Sequence, residues 1–140
     1  MASTYMLEIV TPDRKFFSDE VEMAIVRTST GDIGILKNHE LTVAPLRIGS
    51  IKVKIASEMK CAACSTGFIS VEEDIVTIIT DSAEWGDEID VNRANEALNR
   101  AEKRLKDKKY DIDVERAKIS MTRAINRVGI AEKANDHKNL

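Results

Sequence analysis

The hydrophobic period of this chain changes at Asp90. Upstream, apolar residues alternate in short runs, as in residues 50–56, where Ile51, Val53 and Ile55 take one side and Lys52 and Lys54 the other. Downstream, Val91, Ala94, Leu98, Ala101 and Leu105 step by three and four, the spacing of a single helix face. Side chains repeat every two residues on a strand and roughly every 3.6 on a helix, so one segment cannot satisfy both patterns. The chain is therefore expected to be α+β: an N-terminal antiparallel β-sandwich over residues 1–86, then a C-terminal antiparallel two-helix hairpin over 87–140.

Charge divides at the same place. Residues 1–89 carry −7 and residues 90–140 carry +4, within a total of −3. Two surfaces of opposite sign point to different partners for the two modules. Only three Phe, two Tyr and one Trp occur in 140 residues, so aliphatic side chains must fill the core. No run of 18 apolar residues exists, and the N-terminus lacks the basic stretch and apolar run of a secretory signal. Direct membrane insertion is not expected, and the expected compartment is the cytoplasm.

Strand signals cover residues 4–10, 21–28, 34–37, 41–46, 50–56, 60–65, 67–71 and 75–80, with Val21, Met23 and Ile25 read as one face. Pro12-Asp13 and Thr30-Gly31-Asp32 read as turns. Cys61 and Cys64 form a lone C-x-x-C with no second pair to complete a zinc site. On a strand their sulfurs diverge, so both read as packing thiols. In the helical part Asp90 is a suitable N-cap, and Lys106, Lys108 and Lys109 favour the helix end. After a break at residues 110–112, Asp113 can cap a second helix with the stripe Val114, Ala117, Met121, Ala124, Val128 and Ala131. Each stripe has only three large residues, with alanine filling the rest, so little apolar area is buried and the hairpin should be weakly held. The polar tail from Asn135 to Leu140 is expected to fray.

Four segments, in order, resemble the epsilon subunit of the bacterial F-type ATP synthase over essentially the whole chain. They are Val10-Thr11-Pro12-Asp13 with Val21-Glu22-Met23, residues 30–36 followed by His39, residues 67–71 with Val76-Thr77-Ile78, and Asp81-Ser82-Ala83-Glu84 with Ile89-Asp90. Lys37-Asn38 and Glu40-Leu41 stand where family members usually carry Pro-Gly and Ala-Pro, and Ile48 replaces a common proline. The resemblance implies a non-catalytic rotor subunit without a required cofactor or metal. Its implied partners are the gamma subunit, the c-subunit ring and, in an inhibitory state, the alpha/beta hexamer. Its implied place is peripheral, at the cytoplasmic face of the cell membrane. By the same resemblance Asp32 and His39 lie on the loop facing the c ring. The hairpin would switch between a folded state and an extended one that inhibits ATP hydrolysis.

Some similar proteins bind ATP through a motif matched here by Ile89-Asp90-Val91-Asn92-Arg93-Ala94, with Glu84, Arg100, Arg123 and Arg127 at the companion positions. Spacing makes independent physical sense. Arg93 and Arg100 are seven apart and Arg123 and Arg127 four apart, so each pair shares a helix face. Guanidinium forks match phosphate oxygens bidentately. Without a Gly-rich phosphate loop or a nucleophile beside a base, binding of ATP as a regulatory ligand is expected without hydrolysis.

Spacing alone favours a solvated arginine face, with Asp90 as a simple cap. A basic helical hairpin could also be a nucleic-acid or protein-interaction module. Nucleic acid is disfavoured because Tyr110 is the single aromatic residue downstream of Asp90. An enzyme built on His39 beside Glu40 lacks a nucleophile at a recognisable spacing.

Overall fold

The structure is a computed structural model that describes residues 3–107 and 111–138. The chain forms two compact units that divide between Trp85 and Gly86.

The first unit holds ten strands: β1 (Tyr5–Val10), β2 (Lys15–Val21), β3 (Met23–Thr28), β4 (Gly31–Ile35), β5 (Thr42–Leu46), β6 (Gly49–Ile55), β7 (Glu58–Cys64), β8 (Gly67–Val71), β9 (Ile75–Thr80) and β10 (Ala83–Trp85). They hydrogen-bond in the order β10-β7-β6-β3-β5-β8-β9-β1-β2, with β4 paired to β3. Pairing is antiparallel except between β1 and β9, which run parallel. β3 pairs with β6 over residues 23–25 and with β5 at Thr28, which links the two halves of the path. The far ends of that path meet. Phe16 and Phe17 of β2 lie 4.8 and 5.7 Å from the Trp85 ring of β10, and Lys60 sits 4.3 Å over the same indole. The sheet thus folds over itself into a sandwich, with the scarce aromatic residues closing it. Its core is aliphatic, as composition requires, and Leu7, Ile9, Val26, Val53 and Ile78 are fully buried.

Several local readings change. The strand read over 21–28 is two strands interrupted at Glu22, whose N–H donates to the Lys54 carbonyl. One extra residue between strands reverses the side-chain alternation, so Ala24, Val26 and Thr28 are buried while Met23 and Ile25 are only half-buried. β2 was masked by its polar content: Ser18, Asp19 and Glu20 are exposed. β4 starts at Gly31, whose φ of 126° suits glycine, so Gly31 and Asp32 belong to the strand and not to the turn. β10 is too short to show a period.

Cys64 is buried in β7 and its thiol is pushed up to about 12, first by burial and then by the charge of Cys61. The unfolded thiol, with an ordinary value of 9.0, loses its proton first. Its contribution to stability is therefore present below pH 9 and is lost as pH rises from there toward 12. In a Cys61→Ser protein, iodoacetamide should leave Cys64 unlabelled at pH 8 until denaturant is added. Rapid labelling of the native protein would contradict a buried, protonated thiol.

In the second unit a short 3-10 turn (Gly86–Glu88) precedes α1 (Val91–Asp107) and α2 (Asp111–Lys138). A side chain at Gly86 would meet Ile130 at 3.0 Å and Ala134 at 3.3 Å, so the end of α2 returns to the start of α1 and the helices run antiparallel. Counting equally from the 107–111 connection sets Ala101 level with Ala117 and Ala94 level with Ala124, a register that the Gly86 contact shares. These four alanines are 0 to 3 % exposed, flanked by half-buried Leu98, Leu105, Met121 and Val128. The seam is narrow and close, as small residues allow. Gly129 inside α2 costs about 1 kcal/mol of helix propensity relative to Ala.

α2 begins at Asp111, so Asp113 lies in its first turn and not at the cap, and the break expected at 110–112 is already helix from Asp111. The helix also continues to Lys138, where a frayed tail from Asn135 was expected. Lys108, Lys109, Tyr110, Asn139 and Leu140 lie outside the described residues, as do the side chains of Asp107, of residues 111–113 and of residues 135–138.

Candidate functional site

Asp90 is the N-cap of α1. Its Oδ1 accepts the Arg93 N–H at 3.1 Å, and its carbonyl accepts the Ala94 N–H at 3.0 Å. The cap fixes where the helix starts and hence which way the motif residues point. Ile89 is 6 % exposed and Ala94 fully buried, so both serve packing, while Arg93 is exposed.

Arg93 and Arg100 each precede a seam alanine of α1, and Arg123 precedes a seam alanine of α2. In an antiparallel pair, the residue before each seam position falls on the same side of both helices. Arg127, half-buried three residues after Ala124, flanks the seam on that side too. One broad face of the hairpin therefore carries all four arginines named from the sequence. By register, Arg123 and Arg127 stand level with Asn95 and Val91, close to Arg93 and the Asp90 cap. Arg100 lies about 7.5 Å further along the axis than Arg123. Arg104 and Arg116 lie on the same face and were not singled out from the sequence. Their signal was available, because arginines recur at intervals of seven and four in both helices.

The ion pairs Lys15–Glu8, Arg27–Asp32 and Lys54–Glu22 belong to the first unit. The guanidiniums of Arg93, Arg100 and Arg123 join none of them. Such a face gathers guanidiniums on one side of the hairpin, which favours a polyanion. Glu84 belongs to β10 in the first unit.

The first unit presents two other surfaces. Asp32 is in β4 and pairs with Arg27 Nε at 3.1 Å, whereas His39 lies in the segment after β4. The expectation that both share one loop is thus corrected, because β4 begins before Asp32. His39 Nδ1 donates to the Glu40 carbonyl at 2.9 Å, and Leu36 and Leu41 near it are 58 and 74 % exposed. Elsewhere, Val43, Phe68 and Ile79 expose an apolar patch across β5, β8 and β9, with Phe68 directly opposite Ile79.

Comparisons with known proteins agree along the chain. Residues 4–86 match the family described as ATP synthase, Delta/Epsilon chain, beta-sandwich domain, and residues 87–132 match its long alpha-helix domain. An ATP synthase epsilon chain of Alkaliphilus metalliredigens is 52 % identical over 132 residues, covering 94 % of this chain and 98 % of its own. Another, from Alkaliphilus oremlandii, is 59 % identical over 105 residues, covering 75 and 78 %. Among solved structures, a chain of the Euglena gracilis mitochondrial ATP synthase OSCP/F1/c-ring superposes with a TM-score of 0.76 at 24 % identity. That match covers 87 % of this chain and 78 % of the other, and at such identity it shows the shared fold.

Proposed function

This chain belongs to the ATP synthase delta/epsilon family as an epsilon chain, a non-catalytic subunit, and we propose that its helical hairpin is an ATP-responsive brake on hydrolysis. The observation that carries the proposal is the shared arginine face of a folded hairpin whose seam is mostly alanine. ATP binds across Arg93, Arg123 and Arg127, its phosphates extending toward Arg100, with Asp90, Ile89 and Ala94 shaping the helix start. Glu84 enters by resemblance to ATP-binding relatives alone.

A ligand held by both helices stabilises the folded hairpin only by its preference for that state over an extended one. A narrow seam keeps the gap between the two states small, so a modest ligand preference can shift the population. At low ATP the hairpin opens, and its basic helices reach the alpha/beta hexamer and slow hydrolysis. The β-unit is the fixed part. Its patch at Val43, Phe68 and Ile79 seats the gamma subunit, and the His39 segment with Leu36 and Leu41 meets the c ring. On this reading the subunit sits peripherally at the cytoplasmic face of the membrane. Among the described residues, no helix is long and apolar enough to cross a membrane.

The test is hydrolysis by the enzyme rebuilt with a chain ending at residue 86. At low ATP, hydrolysis should rise above that of the enzyme with the intact subunit, while gamma still co-purifies with the shortened chain. Equal hydrolysis with gamma retained would contradict the brake.

A further inference from the structure

The two helices carry the same motif twice. Residues 89–104 and 112–127, offset by 23, are identical at eight of sixteen positions: Ile, Asp, Val, Arg, Ala, Arg, Ala and Arg in the same places. The offset maps Ala94 onto Ala117 and Ala101 onto Ala124, which are the seam residues. An antiparallel pair built from a repeated helix has an approximate twofold axis across its middle, and whatever one end presents recurs at the other.

All six arginines downstream of Asp90 obey this symmetry. Arg93, Arg123 and Arg127 fall within about 6 Å along the hairpin axis at the Asp90 end. Arg116, Arg100 and Arg104 are their counterparts, within about 6 Å at the other end and about 7.5 Å beyond the first triad. All three of these side chains are exposed, and none joins an ion pair among the described residues. Glu96 stands four residues before Arg100, where a helical ion pair could form, yet none does. The opposite broad face carries Asn92, Asn95, Asn99 and Glu102 and no arginine.

We propose that Arg104 and Arg116, with Arg100 at the border shared with the ATP site, form a second phosphate-binding site related to the first triad by the internal repeat. Its ligand is a phosphate chain, whether that of a nucleoside triphosphate or of an inorganic polyphosphate. The two ends differ in one respect. Asp90 stands outside α1 as its cap, whereas Asp113 is absorbed into the first turn of α2. The second site, in this proposal, reads phosphate without the rest of a nucleotide.

The inference takes its ligand class from the proposed ATP site, so the experiment separates the two. The intact chain is titrated by calorimetry with inorganic tripolyphosphate and, separately, with ATP. Two equivalents of tripolyphosphate are expected to bind. The exposed double substitution Arg104→Gln with Arg116→Gln should remove one equivalent and leave the tight ATP isotherm within about twofold. Arg123→Gln with Arg127→Gln should remove the other equivalent and the ATP binding. Far-UV circular dichroism confirms that each variant keeps its helices, and the Lys versions, which retain charge but lose the fork, should weaken the same site. If ATP fails to bind while one tripolyphosphate is lost in Arg104→Gln/Arg116→Gln, the ATP reading fails and the second site stands. Tripolyphosphate binding that this double substitution leaves unchanged would overturn the second site, as would uptake beyond two equivalents that neither pair alters.

Discussion

Replacing Gly67 with alanine is expected to cost the β-unit more than about 4 kcal/mol, a loss large enough to unfold many domains of this size. Gly67 opens β8 opposite Thr80 of β9. A Cβ there would stand 1.9 Å from the Ile79 carbonyl oxygen and 2.8 Å from both the Ile79 carbonyl carbon and the Thr80 Cα. All three are backbone atoms, so no rotamer change relieves the clash and the two strands must separate. The separation would also disturb Thr80, whose buried hydroxyl lies within hydrogen-bonding reach of the Ser65, Thr66 and Ser82 carbonyls. Thermal melting followed by circular dichroism should show the midpoint falling by roughly 15 °C or more. A fall of only a few degrees would mean that β8 and β9 are not packed as closely as described.

The second large effect concerns binding. Arg123→Ala should weaken ATP by roughly ten- to a hundredfold, because one charge-assisted hydrogen bond is worth about 1.5–3 kcal/mol and each 1.4 kcal/mol is a factor of ten. Arg123 is exposed and lies outside the seam, so the melting of the β-unit should not change. Arg123→Lys should recover part of the loss, since a lysine keeps the charge but not the bidentate geometry. Unchanged affinity in Arg123→Ala would instead assign this side chain to contact with the beta subunit.

Where side chains report a period cleanly, the fold was legible before the structure. Ile51 and Val53 are buried as their alternation requires, and Val91, Ala94, Leu98, Ala101 and Leu105 form the half of the seam that their spacing describes. Legibility failed where the chain breaks its own period. A single residue at Glu22 reverses the faces of β3, and a strand such as β2 with three successive polar residues shows no alternation. The parallel pairing of β1 with β9 joins segments too distant in sequence for any local pattern to announce.

The arginine face was half legible. Spacing placed Arg93 with Arg100 and Arg123 with Arg127, but that both pairs share one side of the hairpin depends on the register between helices. That register is set by the Ala94–Ala124 and Ala101–Ala117 levels and by the Gly86 contact, which are properties of the packed pair. Arg104 and Arg116 belong to no motif at a helix start, and only the internal repeat between the two helices relates them to the other four arginines.

Calorimetric titration of the intact chain with ATP tests the regulatory reading most directly. A saturable exothermic or endothermic isotherm at up to millimolar ATP, abolished when Arg123 and Arg127 are both replaced by Gln, is the expected result. No heat of binding at millimolar ATP would contradict a hairpin held closed by nucleotide.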